Sequence, residues 1–188
     1  NYWGGTAGYE GYTGNSKIDI SNTKINAGAD GNAVCVYSSV APKYDVDVVI
    51  NSGDFIGEVS IYVDGQDEPV ADNSNNTLTV NGGTFSAPVA MYVADSFNYE
   101  LNNGGEYTYY STLEAAIAAA KPGAEIKPVD APSGATMYNV VVNPANGGKV
   151  IDIELPAGTE YTLPNVTNSG YIFLGWRDNN NVTHKAGD

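Results

Sequence analysis

A thirty-residue internal repeat constrains this chain more than any other feature. The segments IDISNTKI (18–25), VVINSGDF (48–55) and LTVNGGTF (78–85) align without gaps, so Ile20, Ile50 and Val80 recur at a step of thirty, as do Ile25, Phe55 and Phe85. A second apolar run follows in each unit: VCVY (34–37), VSIYV (59–63) and VAMYV (89–93), the first displaced by a five-residue insertion around Gly28 to Gly31. Units this short cannot bury an apolar face alone and must stack on their neighbours. Within each first strand the pattern alternates: Ile18/Ile20, Val48/Ile50 and Leu78/Val80 share one side, while Asp19, Val49 and Thr79 take the other. Coils laid about 4.8 Å apart would place Ile20, Ile50 and Val80 in one interior ladder and Ile25, Phe55 and Phe85 in a second. Ser21, Asn51 and Asn81 would form a polar turn ladder beside them. The spacing predicts a short parallel β-helix of about three coils over residues 15–107.

Composition supports an all-β chain. Of 188 residues, 42% are hydrophobic and only 16% charged, while 22 Gly and 21 Asn supply turns in place of surface charge. The net charge of -14 repels phosphate backbones and anionic membranes, which excludes nucleic acid as a partner. Membrane insertion is not expected, since no stretch approaches the roughly 18 to 20 apolar residues of a span. The opening NYWGGTAGYEGYTG has no basic-then-apolar pattern, so if the parent is secreted its signal lies upstream. Cys35 lies in the apolar run AVCVY without a second cysteine, which predicts a buried small hydrophobe, a reactive thiol being the other reading. One His and one Arg offer little for a zinc site or a catalytic triad.

The SGDF and GGTF turns, recurring once per coil, resemble those of the right-handed parallel β-helices in surface proteins of gut Gram-positive bacteria. After the solenoid comes STLEAAIAAAKPG (111–123), where Ser111 and Glu114 read as a capping box and Leu113, Ala116, Ile117 and Ala120 fall on one helical face. Lys121, Pro122 and Gly123 stop the helix. The run is similar to the "TLEEAI" helix of the same surface proteins and is expected to cap the solenoid or begin another.

From Met137 the text changes. The strand YNVVVN, then NGG, a second strand, AGTEYTLP and SGYIFLGW resemble the internalin-type B-repeat, also called the Listeria/Bacteroides repeat. The matching residues are Asn146, Gly147, Gly148, Gly158, Leu163, Pro164, Gly170, Tyr171, Phe173, Gly175 and Trp176. Gly147 and Gly148 read as a tight hairpin turn, Pro164 as a strand end, and Tyr171, Phe173 and Trp176 as the bulky core. The resemblance implies a small β-grasp-like module serving as spacer or weak interaction unit. Family members continue past the G-W turn with a last strand, which is missing here.

The expected order is thus a Gly/Tyr-rich segment (1–14), a β-helix-like solenoid (15–107), a capping or linker helix with connector (108–136) and a B-repeat-like domain (137–188). Either the chain is cut short there, the preferred reading, or the open edge takes a strand from 1–14 of a neighbouring molecule, which would make self-association through it.

Chemistry is sparse on this frame. Outward ladder positions are Asp19/Val49/Thr79 and Lys17/Asp47/Thr77, which stack no two acids of the kind glycan cleavage needs; a Lys17 to Asp47 surface pair is the simpler reading. Asp64, Asp67, Glu68 and Asp72 in VDGQDEPVADNSN offer hard oxygen ligands to calcium without the D-x-D-x-D-G spacing, and a solvated acidic loop is the preferred reading. Tyr62 and Tyr92 stand at equivalent coil positions and, if exposed, would make a binding platform; core packing competes. No cofactor other than calcium is implied. The leading expectation is a non-enzymatic fragment of an extracellular bacterial cell-surface protein, an adhesin or stalk whose partner is a host or bacterial surface protein or glycan. A carbohydrate-binding module on the β-helix face, and part of a β-helix polysaccharide lyase or hydrolase, are the alternatives.

Overall fold

The computed structural model describes residues 15–38, 45–72, 76–131, 133–143, 150–163, 167 and 169–187. The first coil holds β1 (Ser16–Ile20), β2 (Thr23–Asn26) and β3 (Asn32–Ser38); the second holds β4 (Val46–Ile50), β5 (Gly53–Ile56) and β6 (Glu58–Val63). The third begins with β7 (Asn76–Val80) and β8 (Thr84–Phe85). Strands β1, β4 and β7 pair in parallel with no slip, placing Ile20, Ile50 and Val80 in one line and Ile18, Val48 and Leu78 in another. Strands β2, β5 and β8 do the same for Ile25, Phe55 and Phe85. The predicted turn ladder is present as hydrogen bonds: Asn81 Nδ2 donates to Asn51 Oδ1 at 3.1 Å, and Asn51 Nδ2 to Ser21 Oγ at 3.4 Å. A period of thirty works because every inward side chain then meets its own kind one layer away; Phe55 and Phe85 stack at 5.2 Å between ring centroids.

Glycine at the corner is a steric requirement. Gly53 has φ +140°, and a Cβ there would lie 2.2 Å from the Thr23 carbonyl oxygen of the coil beside it. Gly83, the equivalent residue, has φ +125°.

The third coil departs from the repeat. Strands β3 and β6 pair in parallel, Tyr37 opposite Tyr62, but VAMYV does not extend that sheet as expected. Ala90–Tyr92 forms a 3-10 turn instead, leaving a single bridge from Val93 to Val80. Tyr92 compensates: its hydroxyl accepts from the Ile61 N–H at 3.0 Å, a donor that a third strand would have satisfied, and donates to the Val70 carbonyl at 3.0 Å.

Beyond the third coil the sheet turns antiparallel and continues. Strand β10 (Tyr107–Tyr110) joins β8 through Tyr107 and Phe85, and β9 (Tyr99–Asn102) pairs with β10. Next come β11 (Ala124–Pro128), β13 (Ile151–Pro156) and β12 (Met137–Val142), giving an eight-stranded sheet in the order β12-β13-β11-β9-β10-β8-β5-β2. The arrangement is a β-solenoid of about four turns, with 44% of the described residues in strands. The sheet therefore runs through positions 107/108 and 136/137, where the text of the sequence changes.

Helix α1 (Leu113–Ala119) covers this second part, and Leu113, Ala116 and Ala120 are buried as its pattern requires. Its N-cap is Thr112, whose hydroxyl accepts from the Ala115 N–H at 3.2 Å, and not the expected Ser111. The Ser111 carbonyl instead accepts from Asn98 Nδ2 at 2.8 Å, tying the helix entrance to β9. Two cores result: one around Ile50, Phe55, Ile61 and Phe85, the other around Leu101, Ala116, Ile126 and Ile153. Between them Tyr109 accepts from the Val89 N–H at 2.7 Å and donates to Glu100 at 2.9 Å. Glu100 is only 1% exposed, and its other oxygen meets Lys127 Nζ at 3.1 Å. Burial raises the Tyr109 phenol far above its usual value, the Val89 N–H opposing it and the Glu100 charge adding to it, so the phenol keeps its proton.

The region likened to a B-repeat is partly hairpin. Strands β12 and β13 pair antiparallel from Met137/Pro156 to Val142/Ile151, on either side of the expected turn. Asn146, Gly147, Gly148 and Pro164 lie outside the described residues. The last elements are β14 (Trp176–Arg177) and β15 (Thr183–His184), joined by Asp178, whose carboxylate accepts from the Asn180 and Val182 N–H groups at 2.9 and 2.8 Å. Tyr171 does not join a core as expected: it is 78% exposed. Phe173 packs edge-on to Trp176 at 5.6 Å, and Trp176 lies against the second core.

Candidate functional site

The acidic loop does not gather into a metal site. Among the described residues no three His, Cys, Asp or Glu side chains come together, so Asp64, Asp67, Glu68 and Asp72 are not brought to one point. Asp64 instead accepts from the Tyr37 hydroxyl at 3.1 Å.

Nor do Tyr62 and Tyr92 form a platform. Tyr62 is half-buried on β6 and donates to the Glu58 carboxylate at 3.0 Å, whereas Tyr92 is buried in the core as the bridge to Ile61. They are not equivalent, because the 3-10 turn removes Tyr92 from the ladder that Tyr37 and Tyr62 share.

Cys35 is exposed, which corrects the expectation of a buried hydrophobe: β3 is an edge strand of the two-stranded sheet β3-β6, whereas its register partner Ser60, one coil further in, is buried. Partial desolvation and the Glu58 charge raise its thiol pKa, which keeps the sulfur protonated and works against nucleophilic use. The expected Lys17 to Asp47 pair is replaced as well. Lys17 meets Asp19 at 3.4 Å on its own strand, and Asp47 accepts from Thr77 at 2.8 Å in the next coil.

Among the described residues, two clefts are places where a ligand could sit. The first, about 530 Å³, runs across the coil corner and is lined by Asn22, Thr23, Lys24, Gly53, Asp54, Gly83 and Thr84. Its floor is the glycine corner, and Lys24 faces Asp54 across one coil step at 3.8 Å, an exposed pair of small energetic weight. Among the described residues no aromatic side chain lines it.

The second cleft, about 320 Å³, lies at the ends of three strands: Asp95, Phe97, Asn98 and Tyr99 lead into β9, Pro128 and Asp130 close β11, and Pro156 and Thr159 close β13. Phe97, Tyr99, Pro128 and Pro156 are half-buried, while Asp95, Asn98, Asp130 and Thr159 are exposed. Sequence reasoning did not single out these residues. The available signal was that both parallel strands of this region end in proline, which stops strand pairing and leaves the space beyond them open.

Set beside known proteins, the chain matches no family model, no curated protein and no solved structure. Among the described residues no helix is long and apolar enough to cross a membrane.

Proposed function

We propose that the chain is a non-enzymatic part of an extracellular bacterial cell-surface protein, acting in adhesion or as a stalk. The observation that supports this reading is the unslipped stacking of β1, β4 and β7 with its Ser21, Asn51 and Asn81 ladder. Such stacking makes a stiff rod whose outside can vary without disturbing its inside. The outward positions in register carry mixed residues, Lys17/Asp47/Thr77 and Asp19/Val49/Thr79, rather than the facing acids of a glycan-cleaving site. In this reading the coils are right-handed, as in surface proteins of gut Gram-positive bacteria, and 137–188 is a β-grasp-like B-repeat, supported by the β12–β13 pairing. Directly before β14, a Cβ on Gly175 would stand 2.5 Å from the His184 carbonyl oxygen of β15, a close approach that calls for glycine.

Partners in this reading are surface proteins or glycans of host or bacterium, and copies of the chain itself through the edge strand β12, where Tyr138 and Val141 are exposed. Antibodies raised against the chain should stain intact producing cells; staining only after lysis would overturn the surface assignment. Beads coated with the chain should adhere to host or bacterial cells or hold them at a fixed spacing. Release of reducing ends from pectin or host glycans would replace this reading with the enzymatic one.

A further inference from the structure

We propose that the cleft at the ends of β9, β11 and β13 is a binding site for one neutral hexopyranose unit. Its volume of about 320 Å³ lies at the lower end of small-molecule sites, roughly 300 Å³, which suits a single sugar ring rather than an extended chain. Phe97 and Tyr99, half-buried in the lining, bring aromatic rings on which the C–H face of a pyranose would stack, and Pro128 and Pro156 add apolar edges beside them. Around them stand Asp95, Asn98, Asp130 and Thr159, which supply acceptors and one hydroxyl that both donates and accepts. Sugar hydroxyls need both kinds of partner; a basic side chain would use only the two carboxylates.

The lining is already in place. Backbone hydrogen bonds fix it from Phe97 to Ala94 at 3.0 Å, Asn98 to Tyr110 at 2.9 Å, Val129 to Asn98 at 2.9 Å and Thr159 to Pro156 at 3.1 Å. Asn98 Nδ2 is committed to the Ser111 carbonyl, so the side chain presents Oδ1 as its acceptor. The side chains of Asp95, Asp130 and Thr159 have no hydrogen bond or ion pair with another described residue, and their polar atoms are available to a ligand. A ligand therefore meets ordered groups and the cost of arranging them is small. The two carboxylates, in a chain of net charge -14, select against uronic and sialic acids. The corner cleft, larger but without an aromatic surface, lacks the stacking half of this chemistry.

This inference does not rest on the adhesin reading, since a sugar can bind whatever the parent protein does. Saturation-transfer NMR on the full chain with methyl glycosides of glucose, galactose and mannose at about 20 mM should show transfer to the ring C–H protons of at least one, as weak monovalent binding requires. Methyl glucuronoside should show none. Asp130→Asn and Thr159→Ala, both at exposed positions, should leave the melting temperature unchanged and weaken the sugar by about tenfold each. Tyr99→Leu should remove the transfer while circular dichroism keeps the fold. Absence of transfer from every neutral glycoside, or binding indifferent to all three substitutions, would overturn the proposal. So would binding of N-acetyl-arginine amide with no sugar binding, because it would assign the cleft to a basic peptide side chain.

Discussion

Ile50 and Ile172 are the same side chain in the same protein and meet opposite fates: the first is 0% exposed and the second 86%. Ile50 has Ile20 on one side and Val80 on the other, each held in register by a parallel ladder. Ile172 sits between Tyr171 and Phe173 in a stretch without strand partners, and Leu174 beside it is equally uncovered. Hydrophobicity is the same in both places; what differs is whether the backbone supplies a neighbour at a fixed spacing. Repetition guarantees that neighbour inside the coils. After β13, burial depends on particular contacts: Tyr161 and Trp176 pack against the second core and Phe173 against Trp176.

The contrast breaks most decisively through Ile50→Asp. It should place an unpaired charge between two coils and abolish the cooperative thermal transition, while Ile172→Asp should change stability by less than about 0.5 kcal/mol. A melting curve for Ile50→Asp close to that of the parent would count against the interior ladder. Gly53→Ala comes next, at about 3 kcal/mol, because the new Cβ meets the Thr23 carbonyl oxygen at a backbone angle that L residues avoid. The substitution at Gly187, also at positive φ but with nothing within 4 Å, should cost less in the same urea titration.

At the seam between the two cores, Tyr109→Phe removes the acceptor of the buried Val89 N–H and a donor to Glu100, and should cost about 2 kcal/mol. Since the sheet is continuous there, both cores should lose stability together; hydrogen exchange quickening in one core alone would show that the seam does not couple them. Thr112→Ala should cost about 1 kcal/mol through the lost cap, and Ser111→Ala much less, which separates the observed N-cap from the one the S-x-x-E pattern indicated.

The smallest effect belongs to the loose end. Asp178 is held below the usual carboxylate range first by the Val182 N–H, then by His184 and the Asn180 N–H, against some desolvation. A lowered folded-state value means that its contribution is present at neutral pH and disappears as acid protonates it in the folded state, below the ordinary carboxylate range. The Val182 amide should therefore exchange faster as pH falls through that range relative to the intrinsic rate, and Asp178→Asn should flatten the dependence.

The repeat was legible because its physics is local and periodic: a step of thirty and an alternation of two predict which residues stack, and Ile20/Ile50/Val80, Ile25/Phe55/Phe85 and Ser21/Asn51/Asn81 all do. The clefts were not legible, since Phe97, Pro128 and Pro156 converge only once strands distant in sequence have been laid side by side. Cys35 shows the limit within the repeat itself, where an apolar run concealed a thiol left exposed on the edge strand β3 while its register partner Ser60 is buried.

By itself, then, the sequence determined the all-β class, the parallel coils, their interior ladders, the glycine corners and the helix face bearing Leu113, Ala116 and Ala120, all of which depend on residues a fixed step apart. Tertiary structure alone decided that VAMYV would turn as a 3-10 helix, with the Tyr92 hydroxyl standing in for a missing strand. It also decided that β10 would join β8, and that Glu100, Tyr109 and Lys127 would meet between two cores. These are contacts between segments with no common period, where the need to pair buried hydrogen-bonding groups chooses the partner.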